Sequence, residues 1–505
     1  MTLKTNALWN VCSNLTNILI LFIITPIIQK DLGEVHYGVY VILGTIGGAL
    51  SILNLGLGDA TLRYVAFYHS IGNKKAVNST FNATLWLYTI LGGLVTFLFL
   101  LFPNILIKFF KIQDIVHIEE LIRLTMLMFF TTFISGCFFA IPQALQRYDI
   151  YSFIQLSQNI LRFFLNLGAI LLGFGIRGLI ITNFFLSLIL IIVLYAVAKR
   201  LIPYLSLFKL PRQKDYREIF GYGIYSFLSQ LIGTIWQYCD PILLTRLIGP
   251  YSVGYFSIPM QLIGKVNSVP SAAFSVLFPR FASEQDIQQT KKLYIKSTQI
   301  SLYTSILLFV PMAVVFSDFL ALWISEDFMQ KGGMIATILA FSYIVRGSFL
   351  PYEPLLKGIG KPQYVMFITG ASSLIILTFD LFMIPLYGIN GVGIAYIVSS
   401  FVGIATVILI WKKLIKGSYR QLMLKLGVTF IISIISFISL YYLNSYYSSM
   451  FTLNYISFII ETILSLFING LILSLVVKCT DRQLYHELLR NIVDIYLKLC
   501  KSRNK

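Results

Sequence analysis

The sequence predicts an all-α polytopic membrane protein of about 14 transmembrane helices, built as two pseudo-symmetric six-helix lobes plus two C-terminal helices. Three observations carry that prediction. Apolar residues make up 57% of the 505 positions and charged residues only 12%, with a mean hydropathy of +0.81; a soluble chain carries about twice that charge. Apolar runs of about 20 residues, the length that spans a bilayer, recur along the whole chain. Two glycine motifs return after about 213–216 residues.

The runs fall roughly at 8–28, 38–58, 81–103, 121–142, 151–173, 178–198, 219–248, 251–278, 297–316, 333–351, 363–384, 389–411, 421–444 and 451–478. The windows 219–248 and 251–278 are the most polar. The first run is not a cleavable signal peptide: Asn10, Asn14 and Asn17 interrupt it and no small-residue cleavage site follows. The longest links, near 59–80, 199–218 and 279–296, are too short to bury a core of their own.

The repeat defines the domains. Gly33–Glu34–Val35–His36–Tyr37–Gly38 follows the first helix, and Gly249–Pro250–Tyr251–Ser252–Val253–Gly254 follows the seventh. Gly175–Ile176–Arg177–Gly178 precedes the sixth, and Gly388–Ile389–Asn390–Gly391 precedes the twelfth. This maps helices 1–6 onto 7–12 in one orientation. The expected division is 1–200 and 201–418 for the six-helix lobes, 419–478 for two additional helices, and 479–505 for a basic tail. In that tail Leu484, Leu488, Ile492, Ile495 and Leu499 have the spacing of an interfacial helix.

The net charge of +18 is an orientation marker. With the N-terminus inside, about 29 of the 39 lysines and arginines fall on cytoplasmic segments, about 7 outside and about 3 within helices. Both termini are therefore expected in the cytoplasm, and nucleic acid is excluded as a partner. The five cysteines show no disulfide or metal spacing, the four histidines lie in loops or the tail, and no nucleotide-binding loop appears. No cofactor, metal site or catalytic group is expected, and the chain reads as a transporter rather than an enzyme.

Ionisable residues within spans are the best functional pointers, since a central Arg, Lys or Asp costs about 2.5–3.5 kcal/mol on insertion scales. Arg162, Lys265 and Arg346 are the candidate binders of an anionic group. Asp240 and Asp380, in the outer third, are candidates for coupling to H+ or Na+, while Arg246 lies near a helix end and Glu461 has no assigned role. Amide stripes add Asn14 and Asn17 in helix 1, Gln155, Gln158, Asn159 and Asn166 in helix 5, and Gln230 and Gln237 in helix 7. Amides suit sugar hydroxyls, and they equally suit hydrogen bonds between helices. Pro26 and Pro241 occupy matching places in helices 1 and 7 and are candidate hinges. Gly44, Gly47 and Gly48 permit close packing of helix 2.

The stretch Trp9–Asn10, the Pro26 bend, Leu32–Gly33, Tyr37–Gly38, Leu53–Asn54–Leu55–Gly56–Leu57–Gly58 and Arg63–Tyr64 resembles the start of Wzx-type polysaccharide flippases, within the multidrug/oligosaccharidyl-lipid/polysaccharide (MOP) exporter superfamily. The resemblance implies two six-helix lobes around a central cavity and translocation of an undecaprenyl-diphosphate-linked oligosaccharide across a bacterial cytoplasmic membrane by alternating access, with helices 1 and 7 bending. It also implies membrane lipid around the chain, and a polysaccharide polymerase and chain-length regulator as partners. Helix 1 lacks both the acidic residue of some drug antiporters and the arginines of lipid II flippases, so the cations of helices 5, 8 and 10 would take the anionic head group. Two rivals stand beside this reading. A multidrug or cation antiporter of the same superfamily would favour carboxylates in its cavity, and a membrane-embedded glycan polymerase or transferase would need a larger outer loop than 104–120 or 317–332.

Overall fold

The computed structural model describes residues 3–55, 57–211, 216, 231–235, 237–275, 277–283, 286–347, 349–410, 420–450, 454–480 and 485–486. Helices account for nearly all of them, as expected where lipid offers no hydrogen bonds and the backbone must satisfy itself. In chain order they are α1 (Leu3–Leu50), α2 (Leu57–Ser70), α3 (Lys74–Leu101), α4 (Asn104–Phe110), α5 (Ile118–Ala144), α6 (Tyr148–Leu171) and α7 (Gly175–Leu201). Then come a helical segment at 237–247, α8 (Pro250–Ser275), α9 (Leu277–Ser283), α10 (Ile287–Trp323), α11 (Glu326–Gly347), α12 (Tyr352–Gly358), α13 (Pro362–Tyr387), α14 (Asn390–Ile410), α15 (Arg420–Met450) and α16 (Tyr455–Thr480).

Polar residues mark the helix starts. The Asn73 side chain accepts from the Ala76 amide at 3.0 Å to cap α3, and Asp286 accepts from the Gln288 amide at 2.8 Å to cap α10. Glu119 and Glu120 on α5, and Glu326 and Asp327 on α11, place negative charge in first turns, where the helix dipole favours it.

Among the described residues, seven helices are long and apolar enough to cross a membrane, or up to eight if one pair bent by 48° counts as a single span. Each expected window is mostly helical where it is described, with turns at some of its ends. The polar stripe of α6 and the two prolines and lysine of α8 set those helices apart from the plainly apolar ones. The fold is that of an all-α polytopic membrane protein. The expected link at 59–80 is itself mostly helix, since α2 packs on α3 and α5 and its Thr61 hydroxyl meets that of Thr84 at 2.6 Å. The expected tail helix at 482–500 lies outside the described residues except at 485–486.

Packing divides the chain into two compact units, Met1–Ile258 and Pro259–Lys505. The division falls within α8, whereas the repeat in the sequence divides the chain at 200. The reason is local: the 249–254 turn packs onto α1. An alanine Cβ at Gly38 would stand 2.0 Å from the Pro250 carbonyl oxygen, one at Gly254 would stand 3.0 Å from the Tyr37 ring, and one at Gly48 would meet the Tyr238 hydroxyl at 2.2 Å. The two copies of the first glycine motif thus face each other. Gly44 and Gly47 have nothing within 4 Å of such a Cβ, so close approach in this arm uses Gly38 and Gly48.

In the first unit α3 packs on α5, α5 on α7, and α6 on α7 and α1. Its core joins Leu57, Phe81, Tyr88, Phe133, Cys137 and Leu194. Buried hydroxyls add cross-links, as between Thr131 and Ser187 at 2.6 Å. The link after α7 is fastened to α3 by two amides: Asn78 bonds the Tyr204 carbonyl and Ser206 amide, and Asn82 bonds the Ser206 carbonyl and Lys209 amide, all within 3.0 Å. In the second unit α10 packs on α11, α11 on α14, and α13 on α14, while α15 and α16 lie against α10. Asn469 of α16 is the polar tie there, accepting from Ser436 of α15 at 2.8 Å and donating to the Ile306 carbonyl of α10 at 3.0 Å.

Candidate functional site

Helix α1 brings its candidates to the site through a break. Its one residue with non-helical dihedrals is Gly33, at φ 70° and ψ 175°, a region open essentially to glycine alone. The break divides α1 into the two arms that the sequence predicts as helices 1 and 2. Pro26 lies inside the first arm, seven residues before the break, and Pro241 lies buried inside the helical segment 237–247. Asn17 is half-buried on the first arm. The side chain of Asn14 and the whole of Gln230 lie outside the described residues.

The second arm of α1 and α6 frame Arg162. It is exposed on α6, near Tyr40 of that arm, and it makes no ion pair among the described residues. Tyr40 stands 6.4 Å from Tyr37, ring centre to ring centre. A guanidinium offers five donors in a planar fork that matches phosphate or carboxylate oxygens. The stripe on α6 divides by function. Asn166 is buried and accepts from Thr182 and Asn183 of α7, both at 3.2 Å, so it ties helices together. Gln155 donates to the Tyr151 hydroxyl at 2.8 Å. Asn159 is half-buried, and Gln158 lines an apolar cavity of about 130 Å³ with Phe153, Leu161, Ile189 and Val193, between α6 and α7. Gln237 is exposed.

Lys265 and Arg346 belong to the second unit, Arg162 to the first. Lys265 is half-buried midway along α8 and makes no ion pair among the described residues. Arg346 occupies the last turn of α11, where the helix dipole favours a cation. Its guanidinium carbon lies 5.5 Å from the centre of the Tyr343 ring. Asp240 is 1% exposed and Asp380 0%, and each engages a neighbouring group. Arg246, by contrast, lies over the Phe109 ring at 4.7 Å, and its carbonyl accepts from Lys111 at 3.1 Å.

One cluster escapes a reading of the sequence. Asp318 falls in the expected outer loop 317–332, but α10 runs on to Trp323 and carries it into a helical position. There the Asn444 amide of α15 donates to it at 3.0 Å, and its charge reaches Glu461 of α16. The unbroken helical spacing of Phe316, Phe319, Leu320 and Trp323 was the available cue.

The comparisons with known proteins agree with this architecture. The model of the polysaccharide biosynthesis protein family matches residues 3–285. A Shigella flexneri protein named "Putative O-antigen transporter" is 23% identical over 410 residues, covering 78% of this chain and 94% of its own length. An uncharacterised membrane protein of Methanocaldococcus jannaschii is also 23% identical, over 417 residues, with 78% and 81% covered. Among solved structures, the lipid II flippase MurJ in an inward closed conformation superposes with a TM-score of 0.68 at 14% identity, covering 94% of this chain and 99% of its own. An inward-facing multidrug resistance MATE family transporter of the MOP superfamily reaches 0.64 at 15% identity, over 80% and 99%. The family match spans more than half of the sequence, and this fold is the one those flippases and exporters share: the chain belongs to the polysaccharide biosynthesis protein family.

Proposed function

We propose that this protein is a flippase that moves undecaprenyl-diphosphate-linked oligosaccharide from the inner to the outer leaflet of a bacterial cytoplasmic membrane, for surface polysaccharide of the O-antigen or capsule type. The coarser part, a membrane transporter of polysaccharide biosynthesis, follows from the family and from relatives that are transporters. The observation that carries the finer part is Arg162: an exposed guanidinium within a membrane helix, beside Tyr40 and without an ion pair among the described residues. A cation so placed calls for an anion, and a diphosphate supplies two. Lys265 and Arg346 are then the further candidate cations for the head group, and Asn14, Asn17, Gln158, Asn159, Gln230 and Gln237 offer amides to the glycan. In this reading the protein alternates between inward-open and outward-open states. Pro26 and Pro241 act as bending points, Asp240 and Asp380 couple transport to H+ or Na+, and both termini are cytoplasmic. A polymerase and a chain-length regulator take the product onward.

The test is transport of a fluorescent lipid-linked oligosaccharide in proteoliposomes. Arg162→Gln should keep the detergent-extracted protein monodisperse and lower the rate by about tenfold or more, the scale of one lost charge-assisted contact. Arg162→Lys should retain an intermediate rate if charge alone matters. Transport by Arg162→Gln at the wild-type rate would remove Arg162 from the substrate route. Transport of cationic drugs in place of the glycolipid would transfer the protein to the antiporter branch.

A further inference from the structure

We propose that Asp318, Asn444 and Glu461 form a binding site for a small monovalent cation, Na+ or a proton, where α10, α15 and α16 meet in the second unit. The inference stands apart from the substrate reading above and from Asp240 and Asp380. Glu461, near the start of α16, is 4% exposed, and its Oε1 is buried with no donor among the described residues. Asn444 Nδ2 donates to Asp318 Oδ2 at 3.0 Å through one of its two hydrogens, while Asn444 Oδ1 can only accept. That oxygen too is buried with no donor among the described residues, and so is the hydroxyl of Thr462, next to Glu461. A carboxylate oxygen and an amide oxygen are thus left over, buried, among the described residues.

Buried acceptors in a native protein have partners. A positive group satisfies two carboxylates and an amide oxygen at once. No basic residue of the three helices is placed to supply it, and Lys331 of the neighbouring α11 is paired with Asp327 at 3.1 Å. The basic residues of the three helices are Lys291, Lys292 and Lys296 on α10, Arg420 and Lys425 on α15, and Lys478 on α16. All stand at the opposite ends: Lys296 is 22 residues from Asp318 and Lys478 is 17 from Glu461, about 33 and 25 Å of helix. Aromatic contacts close over the cluster, Phe319 lying 5.8 Å from Phe458 and 5.1 Å from Trp323, while the Tyr455 hydroxyl bonds the Leu322 carbonyl at 3.0 Å. Oxygen ligands select a hard cation.

The experiment is carbodiimide labelling of the purified full-length protein, read by peptide mass spectrometry at Glu461, since carbodiimides attack a protonated carboxyl in an apolar setting. If Na+ is the ligand, labelling at fixed pH falls about tenfold once Na+ exceeds its Kd tenfold, and choline has no such effect. If the ligand is a proton, labelling falls as pH rises and is indifferent to Na+. Asp318→Asn, folded by size-exclusion chromatography, should weaken whichever dependence is found. Direct 22Na+ binding to the wild type covers the case in which that variant fails to fold. Glu461 that is never labelled, or labelled equally at every pH and Na+ concentration in a protein that binds no 22Na+, would overturn the site.

Discussion

The first unit reaches its sixth helix through Gly175, at φ 53°, and the second reaches its counterpart through Gly388, at φ 59°. Around these turns the partners correspond: α3 on α5 matches α10 on α11, α5 on α7 matches α11 on α14, and α6 on α7 matches α13 on α14. The charges do not correspond. At the interval of 213 that aligns the two glycines, Arg162 pairs with Ile375 and Asp380 with Leu167. The links also differ. Between α5 and α6 the chain turns through a few residues held by Arg147 and Asp149, whereas between α11 and α13 it forms α12, whose Leu355 and Leu356 pack with Phe281 and Tyr294. Backbone geometry is repeated at two glycines, which adopt a positive φ without steric cost, and side-chain chemistry is free to diverge on top of it.

That contrast can be broken most severely where the two copies of the motif meet. Gly38→Val sets branched carbons against the Pro250 backbone, where even one Cβ would stand 2.0 Å from the oxygen. Backbone cannot rotate away as a side chain can, so folded protein should fall below detection by fluorescence-detected size exclusion. Gly254→Ala meets a Tyr37 ring at 3.0 Å, which can shift, and should fold. Equal behaviour of the two variants would show that the facing motifs do not constrain the fold. The next effect belongs to the apolar link. Leu355→Ala removes a fully buried side chain from the α9–α12 core and should cost about 2–5 kcal/mol in a reversible unfolding titration. A smaller one belongs to the break in α1. Gly33→Ala has open space around its Cβ but forces an unfavourable dihedral, for about 1–3 kcal/mol. A lower cost for Leu355→Ala than for Gly33→Ala would reverse the order in which packing and backbone strain are ranked here.

The sequence made the scaffold legible and the site only in part. Long apolar runs and recurring glycines are backbone statements, and they placed the break at Gly33, the turns at Gly249 and Gly388 and the paired helices. Amide stripes are ambiguous by nature, because a lipid-embedded helix uses Asn and Gln both for ligands and for its neighbours. Asn166 proved to be a tie between α6 and α7, while Arg162 on the same stripe is exposed. Asp318 was missed because hydropathy ends a span at its first carboxylate, whereas Phe319 and Trp323 stack and carry the helix one turn further. The Asn78 and Asn82 clamp on the 202–209 link depends on contacts more than a hundred residues apart, which no local pattern reveals.

The two links differ in one more testable way, the smallest in size. Asp149 accepts from Arg147 through both oxygens, Nε to Oδ1 at 3.0 Å and Nη2 to Oδ2 at 2.9 Å. The guanidinium holds the Asp149 carboxyl below the usual carboxylate range, with help from the amide of Ile150. A carboxylate whose pKa is lower in the folded than in the unfolded chain stabilises the fold above its unfolded value of about 3.9. That contribution is lost as pH falls from there through the folded value. Arg147 is half exposed, so screening keeps the effect slight. Thermal unfolding followed from pH 6 to pH 3 should therefore show a small acid-dependent loss in wild type that Asp149→Asn lacks, and added salt should shrink the difference between them. Leu355→Ala, which changes the apolar link in the second unit, should lower the whole curve without altering its slope. If Asp149→Asn and wild type stay parallel down to pH 3, the Arg147 pair does not fasten the α5–α6 link, and the turn depends on its backbone bonds from Leu145 to Ile141 and from Arg147 to Pro142.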